Sequence, residues 1–169
     1  MARVYSLKAT AYGCSVSGSK SYRLENATVS LKGDGQRMLI VGPVAVAGEV
    51  AAYGLVRAGT DFGDARVVVR RLTDGMLLRS SFAITGPLNA VETVEQVDSV
   101  VAKRDGAVAW IATEMSLANN RTDIEVHKAD KQGETSLDSG QGIRAVSLGL
   151  HRSTVTWKHG QATRSTTLR

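Results

Sequence analysis

Polar and apolar residues alternate with a period of two along much of the chain. Residues 122–127 and 153–158 show the alternation most clearly, and residues 66–72 form a short run rich in β-branched side chains. Successive side chains of a strand point to opposite faces of a sheet, so these patterns predict β-strands rather than helices. Residues 89–96 fit either one helical turn or a strand, and both alternatives stay open.

Turn sequences that contain glycine separate the predicted strands. They lie at 32–35, 46–48, 73–75, 104–106 and 131–133, and three of them contain the dipeptide Asp-Gly. Glycine adopts positive φ without a steric penalty, so Asp-Gly between apolar runs is a strong hairpin signal. The sequence therefore predicts an all-β chain of short antiparallel hairpins.

One hairpin pattern occurs three times. Residues 45–54, 102–112 and 148–157 each contain a strand, a turn and a second strand that carries an aromatic side chain. The corresponding positions are Val50, Val108 and Val155, then Trp110, Trp157 and, one residue later, Tyr53. An aromatic at one position of a repeat is typical of packing between neighbouring repeats, so we expect these three in the core.

A second hairpin pattern completes the repeat. It follows the first pattern at 66–80 and 123–138, and a similar pattern occurs at 3–25. The repeat unit therefore has four predicted strands. We predict one domain, 1–169, with complete units at about 38–82 and 97–138 and a third unit split between the termini, at 144–169 and 3–25.

The repeat resembles the blades of β-propellers of the WD40-like and TolB-like type. The resemblance rests on residues 67–75, 104–110 and 137–140, and extends to small exported actinobacterial proteins that share these segments. A Trp-Asp dipeptide is absent, so the likeness is not to a strict WD40 repeat. The resemblance implies propeller-like blades of four antiparallel strands and carries over no catalytic residue.

Three blades are fewer than the four to eight that propellers usually contain. Two associated chains would supply six, so we predict a homodimer that forms a six-bladed propeller. A compact three-blade monomer and an open sandwich are the alternatives. The split blade would join the termini and cover open sheet edges.

Composition narrows the classes of function. The chain has only one cysteine, which excludes a disulfide framework. Its hydrophobic fraction of 43% excludes wholesale disorder, and its net charge is +5. No apolar run approaches the roughly 20 residues that span a bilayer. Cations are scattered among acids and aromatics make up 5%, so we expect no nucleic-acid partner. The predicted strand at the start indicates a cytoplasmic protein, or an exported one whose leader has been removed.

Side chains suited to catalysis are few. We expect His127, His151 and His159 to be exposed to solvent and Cys14 to act as a small, half-buried hydrophobe. The phosphate-loop motif and the Gly-x-Ser-x-Gly nucleophile motif are both absent. We therefore predict no catalytic residue, no metal and no cofactor, with a weak cation site at Asp61 and Asp64 as the alternative.

The predicted function is that of a non-enzymatic binding or scaffold module for an unknown protein or small-molecule partner. Residues 58–64 and 116–122 occupy the same slot in two units and would project from one end of the blades. The alternatives are a propeller enzyme of hydrolase or lyase type with a polar site in its channel, and a self-assembling structural ring. The predicted binding residues are Asp61, Phe62, Asp64, Asn119, Asn120 and Arg121.

Overall fold

The computed structural model describes residues 2–7, 10–15, 21–26, 38–58, 63–85 and 93–169. Within these ranges the chain forms fourteen strands and no helix, which confirms the all-β prediction. The strands form four antiparallel sheets, which follow one another in chain order. No described segment is a helix of the length and apolarity needed to cross a membrane.

Two of the sheets have four strands each. Sheet 2 contains β4 Met38–Ala47, β5 Val50–Ala58, β6 Gly63–Arg71 and β7 Leu77–Phe82. Sheet 3 contains β8 Thr93–Ala102, β9 Val108–Ser116, β10 Thr122–Asp130 and β11 Gly133–Ser139. Each is a meander in which every strand pairs with the next, and the two sheets coincide with the units predicted at 38–82 and 97–138. A single parallel bridge between Gly63 and Val94 connects them.

The two ends of the chain form separate three-stranded sheets. Sheet 1 contains β1 Ala2–Leu7, β2 Thr10–Ser15 and β3 Ser21–Asn26, and sheet 4 contains β12 Gly149–His151, β13 Thr154–His159 and β14 Ala162–Thr167. The prediction of three units, one split between the termini, is therefore wrong. Its error lies at β14, which pairs with β13 along its whole length and completes sheet 4 instead of joining residues 3–25.

Glycine permits the tight turns between these strands. Gly75 and Gly106 have φ values of +73° and +88°, in the left-handed region that side chains with a Cβ rarely adopt. Both belong to predicted Asp-Gly turns, which are confirmed. The predicted turn at 32–35 lies outside the described residues. Of the ambiguous segment 89–96, residues 93–96 begin β8, and the remainder also lies outside the described residues.

The sheets stack face to face, and an aromatic side chain fills each interface. Tyr53 packs in the core between sheets 1 and 2, Trp110 in the core between sheets 2 and 3, and Trp157 in the core between sheets 3 and 4. All three are at most 4% exposed, which confirms the predicted core position. In each case the aromatic belongs to the later sheet and faces the preceding one, so the sequence repeat reflects a repeated interface.

Small residues bring the sheets close together. The Cβ that an alanine would place at position 54 lies 2.7 Å from the Cβ of Val97 on the next sheet. Real Cβ atoms do not approach so closely, so the contact between β5 and β8 requires the glycine at this position. Interiors are close-packed, and even one added methyl group would force the sheets apart.

Candidate functional site

The paired ends of β5 and β6, at Ala58 and Gly63, and the turn between β9 and β10 lie at the same edge of sheets 2 and 3, which we call the loop end. Gly63 bridges to Val94, and Val94 is paired with Met115, so the start of β6 lies beside the end of β9. Of the predicted binding residues, Asp64 and the turn 119–121 are placed at this end. Asp61 and Phe62 lie outside the described residues, as does part of the alternative cation site.

The exposed turn 119–121 is held by its own side chains. The Asn119 side-chain oxygen accepts a hydrogen bond from the Arg121 backbone N–H at 2.9 Å, and Asn120 adopts φ of +55°. Asparagine tolerates this left-handed conformation better than most residues. The Arg121 Nε lies 3.0 Å from a carboxylate oxygen of Asp123, so the turn places one cation beside the next strand.

Three carboxylates form a row across sheet 3 at the loop end. Glu95 on β8 is directly opposite Glu114 on β9, and Glu114 is directly opposite Asp123 on β10. Directly paired residues share a face, with Cβ atoms about 5 Å apart, and like charges in this arrangement are destabilising. Of these three, which we call the carboxylate row, only Asp123 has an ion-pair partner among the described residues, Arg121.

The environment of the row raises the pKa values of two of its members. Burial raises the pKa of Glu95, and the charges of Glu114, Asp64 and Glu125 raise it further, against the lowering effect of a hydrogen bond donated by the Ala65 backbone. Burial likewise raises the pKa of Glu114, with the charges of Asp123 and Glu125 acting in the same direction. The folded chain therefore keeps negative charge here at a cost in free energy.

Glu125 extends the acidic surface and links two sheets. One carboxylate oxygen accepts hydrogen bonds from the Thr85 backbone N–H at 3.1 Å and from the Thr85 hydroxyl at 3.0 Å. The same oxygen lies 2.6 Å from His127 Nε2. Thr85 follows the last strand of sheet 2, so Glu125 fixes the chain leaving sheet 2 against β10 of sheet 3.

The prediction that His127 is exposed is wrong. Its side chain is fully buried, and its ring stacks on Trp110 with centroids 5.2 Å apart. It does lie on the face opposite Ile124 and Val126, as the alternation indicated, but sheet 2 covers that face. Its Nδ1 has no hydrogen-bond partner among the described residues. The other two histidines differ, since His151 is exposed and His159 is partly buried.

Apolar side chains are exposed at the loop end on the face of sheet 3 opposite the carboxylate row. Val94 and Met115, a directly opposed pair, are 37% and 40% exposed, and Leu117 in the adjoining turn is 54% exposed. A cleft of about 380 Å³ opens on the acidic side. Its lining consists of Ile84, Glu114, Arg121, Asp123, Glu125, Ser139 and Gly140. The loop end thus presents carboxylates on the face of sheet 3 toward sheet 2, and the exposed pair Val94 and Met115 on the other face.

A separate polar network joins sheets 3 and 4 and has a structural role. Asp138 accepts hydrogen bonds from Trp157 Nε1 at 2.6 Å, from His159 Nδ1 at 3.0 Å and from Arg164. Burial raises the pKa of Asp138, but these hydrogen bonds and the Arg164 charge outweigh it and lower the pKa below its ordinary value. The carboxylate of this network has two cationic partners to choose from, His159 and Arg164, whereas Glu95 and Glu114 have no ion-pair partner among the described residues.

Comparison of the chain with protein-family models, with curated proteins and with solved structures finds no match. The resemblance to propeller blades therefore stays a prediction. Within the described ranges, no three side chains of the metal-binding types are placed to hold one ion.

Proposed function

We propose that the protein is a non-enzymatic binding module with propeller-type blades, and that its ligand contacts the loop end. The observation that supports this most strongly is the carboxylate row, in which Glu95, Glu114 and Asp123 are directly opposed on neighbouring strands. The repulsion in such an arrangement costs stability, and no described cation forms an ion pair with Glu95 or Glu114 to offset it. Natural proteins tend to break local rules of stability at functional sites, where a ligand offsets the cost.

The chemistry of the loop end favours a protein partner with basic and apolar side chains. Lysine or arginine side chains of a partner would relieve the repulsion between Glu95 and Glu114. Val94, Met115 and Leu117 would contact apolar side chains of a partner that extends around the edge of sheet 3 to its other face. Methionine suits such a surface because its unbranched side chain adapts to different shapes.

Binding to a defined peptide tests this proposal. The probe is a fluorescent cationic amphipathic peptide that alternates lysine and leucine, and its counterpart carries glutamate in place of lysine. We expect the cationic peptide alone to bind, and the substitutions Glu114→Gln and Met115→Ser each to weaken binding about tenfold.

Two control variants make the same substitutions, Glu to Gln and Met to Ser, at exposed positions away from the loop end. Glu134→Gln removes an exposed carboxylate from β11, and Met76→Ser removes a methionine that is 46% exposed near the opposite end of sheet 2. Both should bind the peptide as the parent does. Equal losses in the control and loop-end variants would show that the peptide responds to general surface properties, and the proposal would be abandoned.

An enzyme of the hydrolase type is the second candidate, and one observation favours it. Glu95 and Glu114 are neighbours with raised pKa values, and a carboxyl group that keeps its proton can act as a general acid. Nitrophenyl esters and glycosides test it. Turnover by the parent that is lost in Glu114→Gln would favour the enzyme, and no turnover by either would leave the binding module as the better proposal.

The homodimer remains a prediction, but its premise has changed. It rested on three units, whereas the chain forms four antiparallel sheets, and four is within the usual range for propellers. Light scattering at micromolar concentration separates a particle of 17.9 kDa from one of twice that mass. A monomer would remove the homodimer and leave the binding proposal intact.

A further inference from the structure

The outer face of sheet 1 carries a stacked pair of aromatic rings. Tyr5 on β1 is directly opposite Tyr12 on β2, and their rings are 5.6 Å apart with an angle of 18° between the planes. The Tyr5 hydroxyl donates a hydrogen bond to the Ser21 hydroxyl on β3 at 3.0 Å. Tyr5 is nevertheless 42% exposed, so one ring of a fixed pair faces solvent.

Two arginines flank the tyrosine pair. Arg23 on β3 is directly opposite Tyr12, and Arg3 lies two residues before Tyr5 on β1, on the same face. Both arginines are exposed, and neither forms an ion pair with a described residue. Strands are about 4.8 Å apart, so the two cations stand on outer strands roughly 10 Å apart across the sheet.

This face is not part of the packing between sheets. The opposite face of sheet 1 contributes Ala11 and Leu24 to the core shared with sheet 2. In sheets 2, 3 and 4 the aromatic of the equivalent face is buried against the preceding sheet, whereas Tyr5 is exposed. The tyrosine pair therefore occupies the face that carries a buried aromatic in the other three sheets, but here the ring of Tyr5 is accessible to a ligand.

We propose that the outer face of sheet 1 binds single-stranded nucleic acid. Exposed aromatic rings on a sheet stack with bases, and adjacent guanidinium groups pair with phosphates. The net charge of +5 favours a polyanion. Arg3 and Arg23 are twenty residues apart in the sequence, which does not indicate a basic cluster. Strand pairing places both on one face of sheet 1.

Fluorescence anisotropy with a labelled 20-mer oligothymidylate tests the proposal on the full chain. We expect binding that Arg3→Ala/Arg23→Ala weakens at least tenfold, with the dependence of log K on log salt reduced by about 1.4 for two phosphates lost. Tyr5→Thr keeps a strand-forming residue and should weaken binding about tenfold. Tyr5→Phe keeps the ring and should bind like the parent.

The single cysteine supplies an independent readout. Cys14 is directly opposite both Arg3 and Ser21 and is half-buried on the same face, as the sequence led us to expect. Saturating oligothymidylate should slow its alkylation by iodoacetamide severalfold in the parent protein. This measurement needs no variant, so it holds even where a substitution impairs folding.

Three results would overturn the proposal. The first is the absence of oligothymidylate binding at 50 mM salt. The second is an equal loss of oligothymidylate affinity in the matched variant Arg104→Ala/Arg152→Ala. This variant removes two exposed arginines from turns of sheets 3 and 4, outside sheet 1. The third is binding of heparin and oligothymidylate alike with no dependence on Tyr5, which would indicate attraction of any polyanion. The loop-end variant Glu114→Gln should leave this binding unchanged, which separates it from the proposed peptide site.

Discussion

Glu114→Gln should make the protein more stable at neutral pH. Glu114 is directly opposite two carboxylates, Glu95 and Asp123, and the substitution removes its charge while keeping its size. Each like-charged cross-strand pair costs on the order of 0.2–1 kcal/mol, so relieving two raises the free energy of unfolding by about 0.5–2 kcal/mol. The effect should shrink as salt screens the exposed part of the interaction.

The stability gained by Glu114→Gln should also increase with pH. Burial and the charges of Asp123 and Glu125 raise the folded-state pKa of Glu114 above its ordinary value of 4.5. Between those two values the folded chain holds a proton that the unfolded chain has lost, so the stability of the parent falls as the pH rises. Glutamine does not titrate, so the advantage of the variant is largest at pH 7, declines as the pH falls through the raised pKa of Glu114, and is largely lost below 4.5.

Urea unfolding at pH 7 and pH 4, followed by tryptophan fluorescence, measures this effect. Trp110 and Trp157 are buried, so their emission should report exposure on unfolding. Glu134→Gln is the control, since a substitution at an exposed site should change stability by less than about 0.5 kcal/mol. If Glu114→Gln left stability unchanged, or raised it equally at both pH values, the carboxylate row would not be a site of repulsion.

Two further substitutions test the packing and the polar network. Asp138→Asn should lower the free energy of unfolding at pH 7 by about 2–4 kcal/mol, because Arg164 and His159 lose a charged acceptor. Because the folded-state pKa of Asp138 is lowered, this loss should fade in urea titrations as the pH drops below 3.8. Gly54→Ala should cost about 1–3 kcal/mol through its clash with Val97. Gly42→Ala meets only ordinary contacts at 3.6 Å and longer, so equal thermal shifts in the two alanine variants would contradict the close-approach argument.

Periodicity and turn chemistry were sufficient to predict sheets 2 and 3. In both, glycine turns separate strands whose alternation is clear, and the pairing is between neighbours in sequence. The ends of the chain were harder, because a strand such as β14 carries no information on which partner it will choose. Residues 162–167 are almost all polar and show no apolar alternation, and the turn at Gly160 directs them back onto β13.

The candidate site could be predicted only in part, and a β-bulge explains why. The hairpin through Asp105-Gly106 pairs Ala102 with Val108, and the same register continued outward would place Gln96 opposite Glu114. The register shifts between Val97 and Ser99, and Glu95 meets Glu114 instead. Bulges insert one residue without a reliable sequence signal, so the row of opposed carboxylates was not visible from spacing. His127 was misplaced for a related reason, since alternation assigns a face to a residue but does not show what covers it.

The outer faces of sheets 1 and 4, which close the stack of sheets on its two sides, differ in a way that bears on assembly. Every internal interface contains a cluster of buried apolar side chains, whereas the outer face of sheet 4 carries mainly hydroxyl groups, one lysine and one histidine. The residues on that face are Thr154, Thr156, Lys158, Thr163, Ser165 and Thr167, with Gly149 and His151 of β12 beside them. A further sheet packed there would bury these groups at a cost of roughly 1–3 kcal/mol for each one left without a hydrogen bond. Polar outer faces of this kind cap the terminal units of repeat arrays. A homodimer that closed a ring through sheet 4 is therefore disfavoured, and the outer face of sheet 1, with its tyrosine pair, is the end of the stack better suited to a partner.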